Sequence, residues 1–334
     1  MIFSLPSPPN LPGHTWRPLR SGDAAALFQL EVDCAPVDGD TSIATITEWK
    51  AKLEEAGDRL STDTLCAVDS AGRLAAVAWV TWDDRAAHEY RASLDGRVHP
   101  HYRGRGLGSF ILRWMETRAR QILLGLKEDR PGVLRLDFYD RSDDALALFE
   151  QHGFIFAFAE DEMRRDLGQA SPATKLAEDL AVVTWSPQQA PLFFQVYQDA
   201  FRERPGFPNW SEDTWRCNFT GGAGFRPDLS LLLSQGAEAV GFAICHVETE
   251  GAEDPAGVGW IVQMGVRPAW RRRGLGRALL CKVMRGFQAD GLASAALEVN
   301  IDNRRAMRLY ERLGFERCRR RTSFQKVARE RGCR

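Results

Sequence analysis

The segment VRPAWRRRGLGRALL (residues 266–280) determines how this chain is interpreted, because it recurs as VHPHYRGRGLGSFIL at residues 98–112. Both copies end an apolar run, pass through arginines and glycines, and continue with apolar residues spaced as on one face of a helix. A helix that begins this way presents backbone N–H groups that have no partner within the helix. The two copies therefore predict two strand–loop–helix units of the same design.

A second pair of similar segments follows the two loops. RLDFYDRSDDALALFEQHGF (135–154) matches ALEVNIDNRRAMRLYERLGF (296–315), so the order of landmarks is duplicated. A chain of 334 residues is long enough for two domains. The stretch RDLGQASPATKLAED (165–179) has the Gly, Ser and Pro content of a linker, which puts the boundary near Ser171. The sequence predicts an N-terminal domain over residues 1–170 and a C-terminal domain over residues 171–334.

The two halves have the same predicted order of strands and helices. In the C-terminal half, a strand at 180–185 precedes helices at 187–203 and 211–219, and three β-rich runs separated by turn residues then indicate an antiparallel meander. A helix over 274–291, a strand, a helix over 303–313 and a closing strand follow. The predicted fold class is α/β, with a mixed sheet of the α+β kind, in two tandem domains.

The Arg-Gly loop has the features of an anion-binding site. Gly274 and Gly276 remove side chains, so a ligand can approach the free N–H groups at the helix start, and the arginines add positive charge. A diphosphate fits this description, whereas a tight turn with solvated arginines is the simpler alternative. A Walker loop needs GK[ST] after its glycines, and a Rossmann loop follows the first strand of its domain. Neither requirement is met.

The pattern R-x-x-G-x-G, at Arg103 to Gly108 and at Arg271 to Gly276, resembles the acyl-CoA loop of the GCN5-related N-acetyltransferases (GNAT). The resemblance covers nearly the whole chain, and the tandem architecture is similar to that of the mycothiol synthase type. It implies acetyl-CoA as co-substrate, with the diphosphate at the loop and the pantetheine arm along the preceding strand beside a bulge. We expect Gly265 to mark this bulge, where the N-terminal half has Arg97. The implied CoA-binding residues are Met264, Gly265, Val266, Arg271, Arg272, Arg273, Gly274, Leu275, Gly276, Arg277 and Asn303, together with Arg103, Gly104, Gly106 and Gly108 of the first half.

The resemblance also implies that the C-terminal half carries the catalytic residues. The family has a tyrosine on the helix after the fifth strand, where Tyr310 stands in the second half and Phe149 in the first. A hydroxyl group can donate a proton or a hydrogen bond to the departing thiolate, and a phenyl ring cannot. Tyr310 also lies on the apolar stripe of its helix, so a purely structural role stays open. We expect backbone N–H groups from Met264 to Val266 to stabilise the oxyanion.

The general base is less clearly defined. Enzymes of the mycothiol synthase type are expected to have a glutamate where this chain has Trp260. Our candidate base is Glu248, with Glu250 and His246 as nearby alternatives, although solvated residues at a strand end would look the same. Ordered water can also accept the proton of the amine.

Composition limits the kinds of partner. The net charge is −1, so we expect neither a nucleic-acid nor a membrane partner. The seven cysteines are scattered without metal-binding spacing, which favours free thiols, no metal and a cytoplasmic location. The state of association is left open between monomer and homodimer.

The sequence thus predicts an acetyl-CoA-dependent N-acetyltransferase that moves an acetyl group to a primary amine by direct attack. The acceptor is an unidentified small molecule or peptide. We expect the N-terminal domain to be non-catalytic, either binding acyl-CoA without turnover or forming a wall of the acceptor cleft. The alternative is a non-catalytic acyl-CoA-binding protein with a regulatory or interaction role.

Overall fold

A computed structural model of the chain describes residues 4–38, 43–83, 89–126, 130–139, 143–170, 172, 179–204, 207, 209–222, 224–249 and 256–329. The chain forms two compact units, an N-terminal unit of residues 1–159 with 321–334 and a C-terminal unit of residues 160–320. This division differs from a linear boundary near Ser171, which itself lies outside the described residues. The difference arises because two long strands each begin in one unit and end in the other.

The N-terminal unit contains a sheet with helices on both faces. Its elements are β1 (His14–Arg17), α1 (Ala24–Asp38), α2 (Ile46–Ala56), α3 (Leu60–Asp63), β2 (Thr64–Asp69), β3 (Leu74–Asp83), β4 (Tyr90–Val98), α4 (Leu107–Gly125), β5 (Gly132–Tyr139), α5 (Asp143–Gln151) and the first part of β6 (Ile155–Asp166). Strands β1 to β4 pair antiparallel, and β4 then pairs parallel with β5 over Tyr90–Ser93. Residues 321–329 complete this sheet by pairing antiparallel with β5.

The C-terminal unit repeats this arrangement. It contains the end of β6, followed by β7 (Leu180–Thr184), α6 (Ala190–Phe201), α7 (Glu212–Thr220), β8 (Leu231–Gln235), β9 (Glu238–Glu248), β10 (Val258–Val266), α8 (Leu275–Ala289), β11 (Ser294–Asn300), α9 (Arg304–Arg312) and the start of β12 (Glu316–Arg329). Strands β7 to β10 form the predicted antiparallel meander, and β10 pairs parallel with β11. The mixed sheet predicted from the sequence is therefore present in both units.

Two cores cover the two faces of the C-terminal sheet. On one face, Phe287 of α8 packs among buried residues of β9 and β10 such as Cys245 and Ile261. A Cβ atom on Gly259 would lie 2.5 Å from the Phe287 ring, so glycine allows this close approach. On the other face, α6 and α7 pack around Trp215 and Phe242. The alternation of side chains along β9 and β10 thus separates the α8 face from the α6/α7 face.

Candidate active site

Strand β10 carries a bulge in the middle of its pairing with β9. Ile261 pairs with Cys245 and Gln263 pairs with Ile244, so Val262 is an extra residue. The prediction that Gly265 marks the bulge is wrong, because Gly265 pairs regularly with Phe242. A Cβ atom on Gly265 would lie 2.8 Å from the Cβ of Ala200, so this glycine instead allows α6 to approach the strand.

The equivalent strand of the N-terminal unit has no bulge. Its register with β3 is continuous, from Asp83 opposite Arg91 to Ala76 opposite Val98. The duplicated segments make Ser93, the parallel partner of Arg135, equivalent to Trp260, the parallel partner of Ala296. From there to the valine before each loop, β10 has residues 261–265 where β4 has residues 94–97. One inserted residue therefore distinguishes the two strands.

The bulge lies where β10 and β11 separate. The two strands pair only from Val258 to Trp260, although β11 continues to Asn300. Beyond Trp260, no backbone group in the described parts of the chain pairs with the β10 edge that points away from β9. This open edge offers hydrogen-bonding groups to an extended ligand.

The Arg-Gly loop adopts the same conformation in both units. Arg272 and Gly274 have left-handed φ angles of 66° and 76°, and Gly104 and Gly106 have φ angles of 70° and 79°. Such a loop directs successive N–H groups into one concavity that suits an anion. No side chain caps either helix start, at Gly274 or at Gly106. Because Arg272 is not glycine, its left-handed conformation costs on the order of 1 kcal/mol.

The first arginine of each loop connects the loop to the rest of its unit through hydrogen bonds. Arg271 donates from Nε to the Val266 carbonyl at 3.2 Å and from Nη2 to the Ala200 carbonyl at 2.9 Å. Arg103 donates from Nε to the Val98 carbonyl at 3.0 Å and binds Asp38 through two hydrogen bonds of 2.7 and 2.8 Å. Both guanidinium groups are thus occupied within the protein. The contact of Arg103 and Arg271 with CoA therefore stays a prediction, and it concerns their backbone groups.

The other loop arginines differ between the two units. Arg273 lies 4.6 Å from the centre of the Trp270 ring, and Arg105 lies 5.6 Å from that of Tyr102. Arg272 and Arg277 are exposed and make no ion pair with any described residue. The N-terminal loop has Gly104 and Ser109 at these two positions. The C-terminal loop therefore presents more positive charge to an anion.

Neither the backbone conformation nor the packing requires a glycine at position 276. Its φ angle is not left-handed, and an added Cβ atom would lie 3.6 Å from the Leu309 side chain, an ordinary contact. Gly108 is similar, with a contact of 3.4 Å to Leu148. A phosphate that approaches the N–H groups of the first helical turn would explain both glycines. The loop therefore fits the diphosphate of CoA.

The side chains of the remaining predicted CoA residues pack in or against the core or cap a helix. Leu275 is buried in the core, and Met264 and Val266 pack against that core. The Asn303 side chain accepts a hydrogen bond from the Ala306 N–H at 3.2 Å and so caps α9. The side-chain nitrogen Nδ2 of Asn303 makes no hydrogen bond with the described residues, whereas its backbone N–H donates to the Asn300 carbonyl at 2.9 Å.

Tyr310 lies on the buried side of α9. It is 8% exposed, and its ring centre is 6.0 Å from that of Phe315. Burial raises the pKa of the Tyr310 hydroxyl to about 12, so it stays protonated at neutral pH. No described group hydrogen-bonds to this hydroxyl. The equivalent Phe149 of the N-terminal unit packs among three other phenylalanine rings.

The candidate bases lie on the α6/α7 face. Glu248 accepts a hydrogen bond of 2.8 Å from the Trp260 indole N–H. Its partner in β9–β10 pairing is Val258, and roughly 13 Å of strand separates Val258 from the bulge at Val262. Glu248 is therefore too far along the strand to contact a ligand at the bulge directly. Glu250 lies outside the described residues.

His246 lies closer to the bulge, since it pairs with Trp260. Its Nε2 atom is 2.8 Å from the Phe219 carbonyl oxygen, which can only accept a hydrogen bond. In the neutral ring this contact puts the proton on Nε2 and leaves the Nδ1 lone pair available. The arrangement would suit a proton acceptor.

The described residues contain no group of three or more His, Cys, Asp or Glu side chains that could hold a metal ion. Among the helices in the described ranges, none is both long enough and apolar enough to span a bilayer.

Comparison with known proteins agrees with this architecture. The model of the Acetyltransferase (GNAT) family matches residues 190–315, and that of an Acetyltransferase (GNAT) domain matches residues 61–156. A mycothiol acetyltransferase from Thermobispora bispora is 32% identical over 225 residues, which span 66% of this chain and 71% of that protein.

Solved structures show the same tandem arrangement. A GCN5-related N-acetyltransferase from Sphaerobacter thermophilus has a TM-score of 0.79 and 27% identity, with 98% of each chain covered. A tandem GNAT protein from the clavulanic acid biosynthesis pathway has a TM-score of 0.70 and 17% identity, covering 94% of this chain and 98% of that chain. At that identity, the second likeness concerns the fold alone.

The anion-binding loop, the open strand edge and the duplicated mixed sheet together define an acyl-CoA-dependent transferase. The chain belongs to the GNAT acetyltransferase family, with one such domain in each half. It is an N-acetyltransferase, and the fold class predicted from the sequence is confirmed.

Proposed function

We propose that the C-terminal unit transfers an acetyl group from acetyl-CoA to a primary amine of a small molecule, and that the N-terminal unit does not catalyse this reaction. The observation that carries this assignment is the bulge at Val262, which β10 has and β4 lacks. The second difference, Tyr310 in place of Phe149, favours the same unit. Arg272 and Arg277 add positive charge at the same loop.

Each part of the C-terminal site has a chemical task in this proposal. Acetyl-CoA supplies an acetyl group activated as a thioester. The N–H groups of residues 272–277 hold the diphosphate, and the open edge of β10 orients the extended arm. A backbone N–H beside the bulge donates a hydrogen bond to the developing oxyanion, which is worth several kcal/mol in other acyl transfers. Tyr310 donates its proton to the departing thiolate.

Deletion of Val262 is expected to lower kcat by at least about 100-fold, because it removes the bulge and redirects the backbone N–H groups beside it. The deletion keeps every remaining β10 side chain on its present face, since bulged residues share one face. Steady-state kinetics with circular dichroism would test this expectation. Deletion of Ala243 from the adjacent strand is the disruptive comparison, because it reverses the faces of part of β9. A Val262 deletion that keeps full activity would contradict the assigned role of the bulge.

Glu248 remains our predicted base, acting through water because of its distance from the bulge. Glu248→Gln is expected to lower kcat/KM about 100-fold and to remove the acidic limb of its pH profile. Trp260→Phe removes only the indole donor, so a smaller loss is expected. His246→Gln is the matched test of the other candidate. If this variant alone removes the acidic limb, the base is His246 and our assignment to Glu248 is wrong.

The acceptor class is best tested by release of free CoA thiol from acetyl-CoA in the presence of different amines. The likeness to a mycothiol acetyltransferase puts an amino-sugar thiol of the mycothiol type first. Because Trp260 replaces the glutamate expected in the mycothiol synthase type, the panel also includes an aminoglycoside, a simple primary amine and a peptide N-terminus. Amine-dependent thiol release that disappears when Gly276 is changed to Glu would support the proposal. Absence of such release with every amine would favour an acyl-CoA-binding protein without catalysis.

A further inference from the structure

The N-terminal unit contains a cavity of its own, away from the Arg-Gly loop. Its volume is about 690 Å³, within the range of small-molecule sites. It lies on the face of the sheet that α1 and α2 cover, and side chains of both helices contribute to its wall. The lining combines indole rings with side chains of both charges, including Trp49, Trp79, Glu31, Lys52, Asp95 and Arg97.

Alternate residues of β4 form the polar floor of this cavity. Arg91, Ser93, Asp95 and Arg97 are all on one face of the strand, because side chains two residues apart point the same way. Asp95 pairs with Trp79 across the β3–β4 ladder, so these two side chains are direct neighbours. The Trp79 ring centre is in turn 6.1 Å from that of Trp49. A carboxylate thus stands beside a pair of indole rings.

Of the other three carboxylates of the lining, Glu31 and Asp63 have partners, and Glu55 of α2 has none among the described residues. Glu31 accepts a hydrogen bond of 3.1 Å from the Trp49 indole N–H and lies 3.2 Å from Arg97. Asp63 pairs with Arg118 at 2.8 Å. The ammonium group of Lys52 lies 4.6 Å from the Trp49 ring centre. The Asp95 carboxylate also makes no hydrogen bond or ion pair with the described residues, although it is accessible from the cavity.

Asp95 is exposed to solvent, and its carboxylate lies beside the Trp79 side chain in the cavity. An ammonium group placed there would form a charge-assisted hydrogen bond with Asp95, and an indole face attracts the same kind of group.

We propose that the N-terminal unit has a separate binding site for a small protonated amine, in which Asp95 pairs with the ammonium group and Trp79 and Trp49 cover the rest of the ligand. This site belongs to the N-terminal unit alone, because the register-equivalent residue of β10 is the neutral Gln263. Acetyl transfer is not part of its role, since β4 has no bulge. The proposal does not depend on the function proposed for the C-terminal unit.

The full chain would be titrated with glucosamine and with ethylammonium, following tryptophan fluorescence and heat of binding. Glucose is the neutral analogue of glucosamine and is expected to bind at least about tenfold more weakly, because it cannot form the charge-assisted pair. Asp95→Asn keeps the shape of the side chain and is expected to weaken glucosamine binding by at least about tenfold. Asp58→Asn, at an exposed carboxylate of the same unit outside the cavity lining, is the matched control.

Two outcomes would overturn the proposal. One is that wild type and Asp95→Asn bind the amines equally well, or that neither protein binds them. The other is equal affinity for glucose and glucosamine. Because Asp95 has no partner, its change to asparagine is expected to leave the thermal midpoint unchanged. Trp79→Phe is a second variant, in which the fluorescence change on binding should be smaller. Failure of acetyl transfer would leave these binding measurements unaffected, so the two proposals can fail separately.

Discussion

Tyr310→Phe is expected to lower kcat by about 100-fold or more while changing the KM for acetyl-CoA by less than about twofold. In the proposed reaction the hydroxyl group contacts the sulfur only as the thiolate departs, so its loss should affect the chemical step rather than binding. Burial keeps the pKa of Tyr310 at about 12. The hydroxyl is therefore protonated through the neutral and mildly alkaline range, and Tyr310 should cause no loss of kcat between about pH 8 and about pH 10.

Two comparisons make this test specific. Phe149 occupies the equivalent place in the N-terminal unit, which shows that a phenylalanine packs well there. The variant should consequently fold as the wild type does. Tyr197→Phe removes a hydroxyl from another buried tyrosine of the C-terminal unit, in the α6/α7 core, and is expected to leave kcat unchanged. Full activity of Tyr310→Phe would assign the tyrosine to the core alone.

Gly276→Glu is expected to weaken CoA binding at least about 100-fold, because the new carboxylate would repel the diphosphate and fill the space beside the helix N-terminus. Gly108→Glu makes the same change in the N-terminal loop and should change the measured affinity by less than about threefold. The reason is that the N-terminal loop lacks the charges of Arg272 and Arg277. Calorimetric titration with CoA measures both affinities and the stoichiometry.

Stability measurements separate this effect from damage to the fold. Gly276→Ala should leave the free energy of unfolding within about 0.5 kcal/mol of wild type, because its Cβ atom meets only an ordinary contact of 3.6 Å. Gly274→Ala should lose about 1 kcal/mol, because φ at this position is 76°. Urea unfolding provides these values. If Gly276→Glu keeps full affinity for CoA, the diphosphate does not bind at this loop.

The sequence could predict the parts of the site that depend on local spacing. The glycines and the apolar periodicity after them define the loop and the start of α8, and the repeat of both in the first half predicts the second domain. The position of Tyr310 on its helix follows from the same periodicity. These features require only the geometry of a strand, a turn and a helix, which the sequence encodes directly.

The bulge and the Asp95 cavity depend on how strands pair, which spacing alone does not encode. An inserted residue at Val262 becomes evident only when the partners of β10 in both neighbouring strands are known. Gly265 was a reasonable candidate from its residue type, but the packing of α6 explains it instead. A polar face on β4 is indicated by polar residues at every second position, Arg91, Ser93, Asp95 and Arg97. Recognising the cavity above it required the positions of α1 and α2.

The division of the long strands between the two units has a consequence for biosynthesis. Residues 321–329 complete the N-terminal sheet, and within them Phe324 is 6% exposed in its core, while Lys326 binds Glu116 at 2.6 Å. A ribosome translates these residues only after the whole C-terminal unit. The first half of the polypeptide therefore emerges without one of its strands and reaches its final packing only after the second unit has been translated. The unit that is translated first is completed second.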